Sequence, residues 1–408
     1  MSQAELREGP SRQRMFWLGR GVSFFGSEFS TLGIPLYCVV VLGAGPAEMG
    51  LLVACAGLPA LLGPFVAGPV VDLFDRRLLL VVTDLVRCAA LLAVLPLHWA
   101  GALNLTVLLG LQFVLGAAST LYDTALFAFL PSYFPPHQLA MANGRSSALH
   151  SAASLAGPSL AGALVQAVGA VAAIVVDGIS FLVSALTIGH STAEVPTTKR
   201  SSGGYKAFLA DGFRALRDTP PVLLLGFSSC LFNLAAGASQ AVIVYFAIKV
   251  LGFPALLLGL ATSAGLVGGL VTGLVARKLS DALGLRTMLS GGILLASVAE
   301  FAIAVAPADK AVAFAVIATA QCVATSGAVA YMTANATLRQ HLVPEHVRGR
   351  VFATLRLLTR GVMPLGAAAG GLLAAGTSPR FAIAAAGMGQ LVAALWLFTR
   401  RRVLPDRL

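Results

Sequence analysis

Gly68-Pro69-Val70-Val71-Asp72-Leu73-Phe74-Asp75-Arg76-Arg77 is a short charged turn between two apolar runs, residues 49–71 and 78–99. Each run is long enough to cross a bilayer, which takes about 20 mainly apolar residues. A Gly-Pro break followed by two carboxylates and two guanidiniums fits a connection at a membrane surface. The pattern repeats outward in both directions. Apolar runs at 15–42, 102–126, 146–168 and 170–190 complete one set, and runs at 221–249, 255–276, 287–306, 311–335, 359–376 and 380–399 form a second. The spacing predicts an all-α membrane protein of twelve transmembrane helices in two six-helix halves.

Composition agrees with this reading. Hydrophobic residues make up 57% of the chain and charged residues 11%, with mean hydropathy +0.86, whereas soluble domains carry about 25% charged residues. The 43 glycines show no Gly-X-Y period, which excludes a collagen-like chain and suits closely packed membrane helices. A net charge of +11 invites a nucleic-acid reading. Here, however, Lys and Arg lie between the apolar runs instead of on one soluble face, so no nucleic-acid partner is expected. With the N-terminus inside, only Lys249, Lys310 and Arg380 of the 28 Lys and Arg fall toward the outside, which predicts that both termini are cytoplasmic. The run at 15–42 exceeds the ~7–15-residue apolar core of a signal peptide and stands as the first span. Cys38, Cys55, Cys88, Cys230 and Cys322 all lie inside apolar runs with no metal-ligand spacing. Neither a disulfide framework, a metal site nor a cofactor is expected.

Polar residues at 191–220, among them Lys199, Arg200, Ser201, Ser202, Gly203 and Gly204, break the apolar pattern and read as a cytoplasmic linker. The expected organisation is 1–190, linker 191–220, and 221–408. A half-length shift superposes Pro136 on Pro344, Leu149 on Leu357 and Gly162 on Gly370, the mark of a duplicated six-helix unit. Parallel repeats of this kind place a substrate site at their interface near the bilayer midplane.

Ionisable groups at membrane depth cost about 2.5 to 3.5 kcal/mol on insertion scales and are functional candidates by default. Glu28 lies roughly 20 Å along the first helix at 1.5 Å per residue, and Arg20, Phe24, Glu28 and Thr31 share one helical face. It is the first candidate for proton or substrate coupling, with structural helix pairing as the alternative. Asp123, near the cytoplasmic end of the fourth span on the face of Gln112, Gly116 and Ser119, is the second candidate, or else a gate or cap. Glu300 in the ninth span is expected to snorkel toward the outer surface. Asp177 is expected to fix the sixth helix, and Asp84 with Arg87 to form a local pair at a cytoplasmic end.

In the turn quoted first, Gly68, Asp72, Arg76 and Arg77 match the Gly-x-x-x-Asp-Arg-x-Gly-Arg-Arg signature of the major facilitator superfamily, which the chain resembles. Leu73 and Asp75 depart from it. Asp281, Gly284 and Arg286 form a remnant of the signature in the second half. Within the superfamily the chain looks closest to the enterobactin-exporter and macrolide-efflux branch. That likeness rests on Ala142-Asn143, Gly157-Pro158, Asp177-x-x-Ser180-Phe181 and Leu342-Val343-Pro344-Glu345 followed by Arg348-Gly349-Arg350. Gly157, Pro158 and Gly162 approximate a motif associated with antiporters, while a proline kink with small-residue packing accounts for them equally well. The resemblance implies that spans one, four, seven and ten line a cavity, with Phe24, Thr31, Gln112, Ser119, Ser229, Asn233, Gln240, Gln321 and Thr325 facing it. It also implies that the two signature turns act as a cytoplasmic gate. Gly265, Gly269 and Gly273, with Gly366 and Gly370, would be sliding surfaces between the halves. Gln112 stands where many proton-coupled members carry Arg, so a mechanism resting on that Arg does not transfer.

The chain has no Gly-x-x-x-x-Gly-Lys-[Ser/Thr] phosphate loop, no Gly-x-Ser-x-Gly elbow and no His-Glu-x-x-His. It is read as no enzyme and no ATP-driven pump, and His98, His137, His150, His190, His341 and His346 are read as solvated. Uphill transport must then draw on an ion gradient. The expectation is a monomeric, proton-coupled exporter of an amphipathic small molecule in the bacterial inner membrane, with the substrate, protons and lipid as partners. An importer or facilitator of the same fold is the alternative, followed by a sensor or scaffold that does not transport.

Overall fold

The computed structural model describes residues 10–190 and 212–406, which contain helices and turns and no strand. Helices α1 (Pro10–Val40), α2 (Pro46–Leu73), α3 (Arg76–Leu92), α4 (Val94–Trp99), α5 (Leu105–Tyr133), α6 (Leu139–Val168) and α7 (Ala170–Gly189) make up the first set. The second comprises α8 (Pro220–Tyr245), α9 (Ala255–Leu283), α10 (Leu285–Ala304), α11 (Lys310–Leu342), α12 (Glu345–Gly361), α13 (Met363–Gly376) and α14 (Pro379–Arg400). The third predicted span is the α3–α4 pair, and the eleventh is α13 joined to the end of α12. Among the described residues, eleven helices are long and apolar enough to cross a membrane. The helix in the first predicted span, α1, is not among them, because Glu28 and the Ser, Thr and Gly residues around it dilute the apolar content of its membrane-length stretch.

Several helices outrun their predicted spans. α5 continues to Tyr133, α9 to Leu283 and α11 to Leu342, and α6 begins at Leu139. At α9 and α11 hydropathy marks where lipid contact ends, whereas the i to i−4 hydrogen-bond ladder runs on through polar residues; the added turns of α5 bury Phe129, Leu130 and Tyr133 in the core. Side chains cap the starts: Asp75 accepts from Leu78 N at 2.8 Å, Asn104 from Val107 N at 3.0 Å and Asp309 from Val312 N at 2.9 Å. Gly169 (φ 90°) and Gly284 (φ 78°) turn the chain sharply between α6 and α7 and between α9 and α10.

The chain divides into two units. One holds Met1–Gly43 and Leu58–Ser201, the other Ala44–Gly57 and Ser202–Leu408. The second unit therefore takes in the first turns of α2, where Gly50 lies against the backbone of Gly371. Of the predicted linker, residues 191–211 lie outside the described residues. Residues 212–217 are helical, and Leu216 is buried with Val222, Val343, Val351 and Leu355.

Each unit repeats the same pairings. In the first, α1 packs on α6 and α7, and α3 packs on α5 and α7; in the second, α8 packs on α13 and α14, and α10 on α11 and α14. The first core gathers Phe16, Tyr122, Phe129, Tyr133 and Phe134. The second gathers Leu289, Ile293, Tyr331, Leu338 and Leu397. The glycines expected to slide between halves are instead taken up inside the second unit. A Cβ on Gly265 would meet Gln321 and one on Gly269 would meet Thr325 on α11, each within 2.8 Å, and Gly273 faces Val329 there. Gly366 and Gly370 lie against Leu234 and Ala238 of α8. Without Cβ atoms, helix axes approach closely enough for backbone contact, which holds the unit together.

Candidate functional site

In the first unit, α1 presents three polar positions to three different surroundings. Arg20 is buried, with its guanidinium 4.3 Å from the centre of the Phe24 ring and 5.0 Å from that of Tyr122. Thr31 is exposed and returns its hydroxyl to Ser27 O at 2.7 Å. Glu28, half-buried, points at α6, where Ser154 donates to its Oε1 at 3.3 Å. A Cβ at Gly157 would overlap the Glu28 side chain, coming within 2.6 Å of its Cβ. Gly157 of the Gly157-Pro158 motif is thus the notch that lets the carboxyl lie between the helices. Among the described residues no cation pairs with Glu28.

Asp84 and Arg87 do pair, as the i,i+3 spacing predicts, but deep inside the unit and not at a solvated end: Asp84 is 0% exposed and Arg87 6%. Their setting explains this, because the Arg87 guanidinium lies 4.4 Å from the centre of the Tyr122 ring and 4.1 Å from that of Phe181. The apolar ring faces supply negative electrostatic potential to the cation while excluding water. Asp177, 2% exposed on α7, accepts from Ser180 at 3.0 Å and faces Gly26 of α1. This agrees with a structural role on the sixth predicted span.

Glu300 does not snorkel. It is 9% exposed and accepts from Ser239 of α8 at 2.7 Å, so α10 is rotated to turn the carboxyl inward. Elsewhere in the second unit, Tyr331 of α11 meets Ser229 at 2.6 Å and Ser228 at 3.1 Å, and accepts from Asn335 at 2.9 Å; Arg339 donates to Ser229 at 2.8 Å. Ser229 is therefore bound into a helix-to-helix network, and Asn233 donates to its carbonyl at 2.8 Å. Gln112, Ser119, Gln321 and Thr325 are half-buried, and Gln240 and Asp123 are exposed.

At the quoted turn, Arg76 donates to Ala128 O of α5 at 3.1 Å and Arg77 to Gly189 O, the last residue of α7. Guanidiniums commonly satisfy carbonyls near helix C-termini in this way. Asp72 is exposed and forms no ion pair with either Arg among the described residues, and Gly68 has open space beside it. In the second half, Arg286 is held by the C-terminal segment, donating from Nε to Leu404 O at 2.6 Å, while Leu285 N donates to Asp406 O at 2.9 Å. Gly284 sits against Asp406 and Asp281 is exposed. Sequence reasoning did not identify the Ser154 and Gly157 surroundings of Glu28, the Tyr331 network or this tail contact. All three join residues far apart in the chain.

Comparison with known proteins agrees with this architecture. The sequence model of the Major Facilitator Superfamily matches residues 16–363 and again 234–408. The chain is 26% identical over 372 residues to the "Uncharacterized MFS-type transporter YfiS" of Bacillus subtilis (strain 168), covering 86% of this chain and 84% of the relative. In fold it is similar to a bacterial homologue of the iron transporter ferroportin in an inward-facing state, with TM-score 0.77, 18% identity, and coverage of 96% and 99%. It is also similar to a bacterial homolog of the human lysosomal transporter Spinster in an inward-facing, unoccupied conformation, with TM-score 0.73, 16% identity, and coverage of 98% and 99%. The repeated helix pairings and the family match along nearly the whole chain lead to one assignment: the chain belongs to the Major Facilitator Superfamily, a family of membrane transporters and not of enzymes.

Proposed function

We propose that this transporter is a proton-coupled exporter, an antiporter that moves an amphipathic small molecule such as a drug, antibiotic or siderophore outward as protons move in. The observation that carries the reading is Glu28: a half-buried carboxyl that pairs with no cation among the described residues, seated in the notch of Gly157 in the antiporter-like motif. An ionised carboxylate at membrane depth is costly unless water or a cation reaches it. Protonation removes that cost, so loading and unloading a proton couples the charge of Glu28 to which side is open. The candidate lining residues Gln112, Ser119, Asn233, Gln240, Gln321 and Thr325 are uncharged, which suits amphipathic cargo better than sugars or strong anions. The motifs quoted above favour the enterobactin-exporter and macrolide-efflux branch. We assign gating to the Gly68–Arg77 turn, and both termini to the cytoplasmic face of a bacterial inner membrane.

The test is transport in proteoliposomes with an imposed pH gradient. Glu28→Gln keeps size and hydrogen bonding but cannot titrate, so it should abolish uphill accumulation while expression and folding persist. Wild-type-like uphill transport by this variant would move the coupling role to Asp123 or Glu300. Cells with and without the protein, challenged with macrolides, siderophores and dyes, should reveal the cargo as a difference in accumulation. Reporter fusions after Leu404 should read cytoplasmic and one near Pro46 should read external.

A further inference from the structure

The Ser154 hydroxyl that donates to Glu28 has a second neighbour, the Nδ1 of His150 one turn earlier on α6, at 3.5 Å. His150 is exposed, and its ring meets the edge of Phe24 with centroids 5.2 Å apart. One hydroxyl thus stands between an exposed imidazole and a half-buried carboxyl. Hydroxyls both donate and accept, so the string can run in one direction, from Nδ1–H to Oγ and from Oγ–H to the carboxylate. We infer that His150 is the proton-entry residue for Glu28, passing protons through Ser154 between the water-facing side of α6 and the carboxyl; the inference rests on the antiport reading above.

The step balances without any further reactant. As the Ser154 proton moves to Glu28 Oε1, the Nδ1 proton of His150 replaces it, and the imidazole takes a proton from water at Nε2. The reverse sequence discharges Glu28. Other charged groups around the string are differently engaged. Arg20 of α1 lies over the rings of Phe24 and Tyr122. Asp177 of α7 faces Gly26 and accepts from Ser180. Arg145, on α6 itself, is exposed more than a turn before His150.

The experiment compares initial rates of proton-driven transport in proteoliposomes for the intact chain, His150→Gln, His150→Ala, Ser154→Ala, Ser154→Thr and Glu28→Gln. A positioned acid–base group contributes about 10² to 10⁴-fold, so loss of a relay member should slow the driven rate by at least about tenfold. Downhill substrate exchange by the His150 variants should stay at the wild-type rate. Ser154→Thr, which keeps the hydroxyl, should retain most of the driven rate. Added imidazole should restore His150→Ala, which a purely structural role would not allow. If Glu28→Gln abolishes driven transport while both His150 variants keep the wild-type rate, the relay is overturned and the antiport reading stands. If Glu28→Gln itself drives transport normally, both fall.

Discussion

Where α1 crosses α6 the chain sets Glu28 against Gly157; where α8 crosses α13 it sets Gly237 against the carbonyl of Met363 and Gly366 against that of Leu234. These are equivalent places. A shift of 209 residues, one more than the 208 that superposes Gly162 on Gly370, pairs Arg20 with Ser229, Tyr122 with Tyr331, Glu28 with Gly237 and Gly157 with Gly366. It likewise sets Asp84 and Arg87 opposite Ile293 and Ala296. In the second unit both sides of the crossing are glycine, and backbone meets backbone. In the first, one glycine faces a carboxyl side chain. The same scaffold thus carries tight packing in one unit and titratable chemistry in the other.

The largest expected effect separates the two interiors. Asp84→Ile leaves the Arg87 guanidinium buried without its partner, which should cost about 3–5 kcal/mol of stability. The double change Asp84→Ile with Arg87→Ala copies the second unit and should recover much of that loss. Thermal unfolding in detergent is the measurement. A double variant no more stable than Asp84→Ile alone would mean that the pair is not an isolated electrostatic unit.

The helix crossings come next. Gly366→Ala drives a Cβ into the carbonyl of Leu234, with both helix backbones fixed, and should cost about 1–3 kcal/mol. Gly157→Ala drives its Cβ against Cγ and Cβ of Glu28, of which the carboxyl arm can swing aside but the Cβ, 2.6 Å away, is fixed to the α1 backbone, so its stability loss should be smaller than that of Gly366→Ala but not absent, while driven transport falls. Adding Glu28→Gly to Gly157→Ala should remove what destabilisation remains. Equal losses at the two glycines, read from unfolding temperature, would erase the distinction between the crossings.

Most of the fold was legible because hydropathy is local. The runs at 170–190, 221–249 and 380–399 became α7, α8 with its π-helical extension Phe246–Val250, and α14 with ends shifted by a residue or so. The polar extensions of α9 and α11 were not legible, since solvated helix and solvated loop share a composition, whereas the last turns of α5, residues 127–133, are mainly apolar and bury Phe129, Leu130 and Tyr133 in the core. The site divides similarly. Depth along a helix can be counted, so Glu28 was found. Which neighbour a face meets cannot be counted: Ser154 lies 126 positions from Glu28 and Ser239 lies 61 from Glu300. Glu300 was therefore read as snorkelling and His150 as merely solvated. The turn at 68–77 carried the family resemblance, yet its arginines serve the backbone carbonyls of α5 and α7, partners that no local motif specifies.

The smallest expected effect concerns a tyrosine that both halves keep, Tyr122 and Tyr331. Tyr331 uses its hydroxyl, which meets Ser228, Ser229 and Asn335. Tyr331→Phe removes this hydroxyl from a buried network whose other members keep further partners, Leu225 O for both serines and Ser229 for Asn335, and should cost about 0.5–1.5 kcal/mol. Tyr122 is buried too, but among the described residues its hydroxyl meets no hydrogen-bond partner of ordinary geometry, although Arg20 lies within electrostatic reach; its ring face serves Arg20 and Arg87. Phe offers the same face, so Tyr122→Phe should change stability by less than about 0.5 kcal/mol, since the hydrogen-bond loss that costs Tyr331→Phe is absent. Tyr122→Leu fills much of the space without a ring quadrupole and should lose about 0.5–2 kcal/mol for the cations it abandons. Paired unfolding measurements on Tyr122→Phe, Tyr122→Leu and Tyr331→Phe decide the matter. If Tyr122→Phe proves as damaging as Tyr331→Phe, the shared tyrosine does the same job in both units, and the charged interior of the first is held by its hydroxyl and not by its ring.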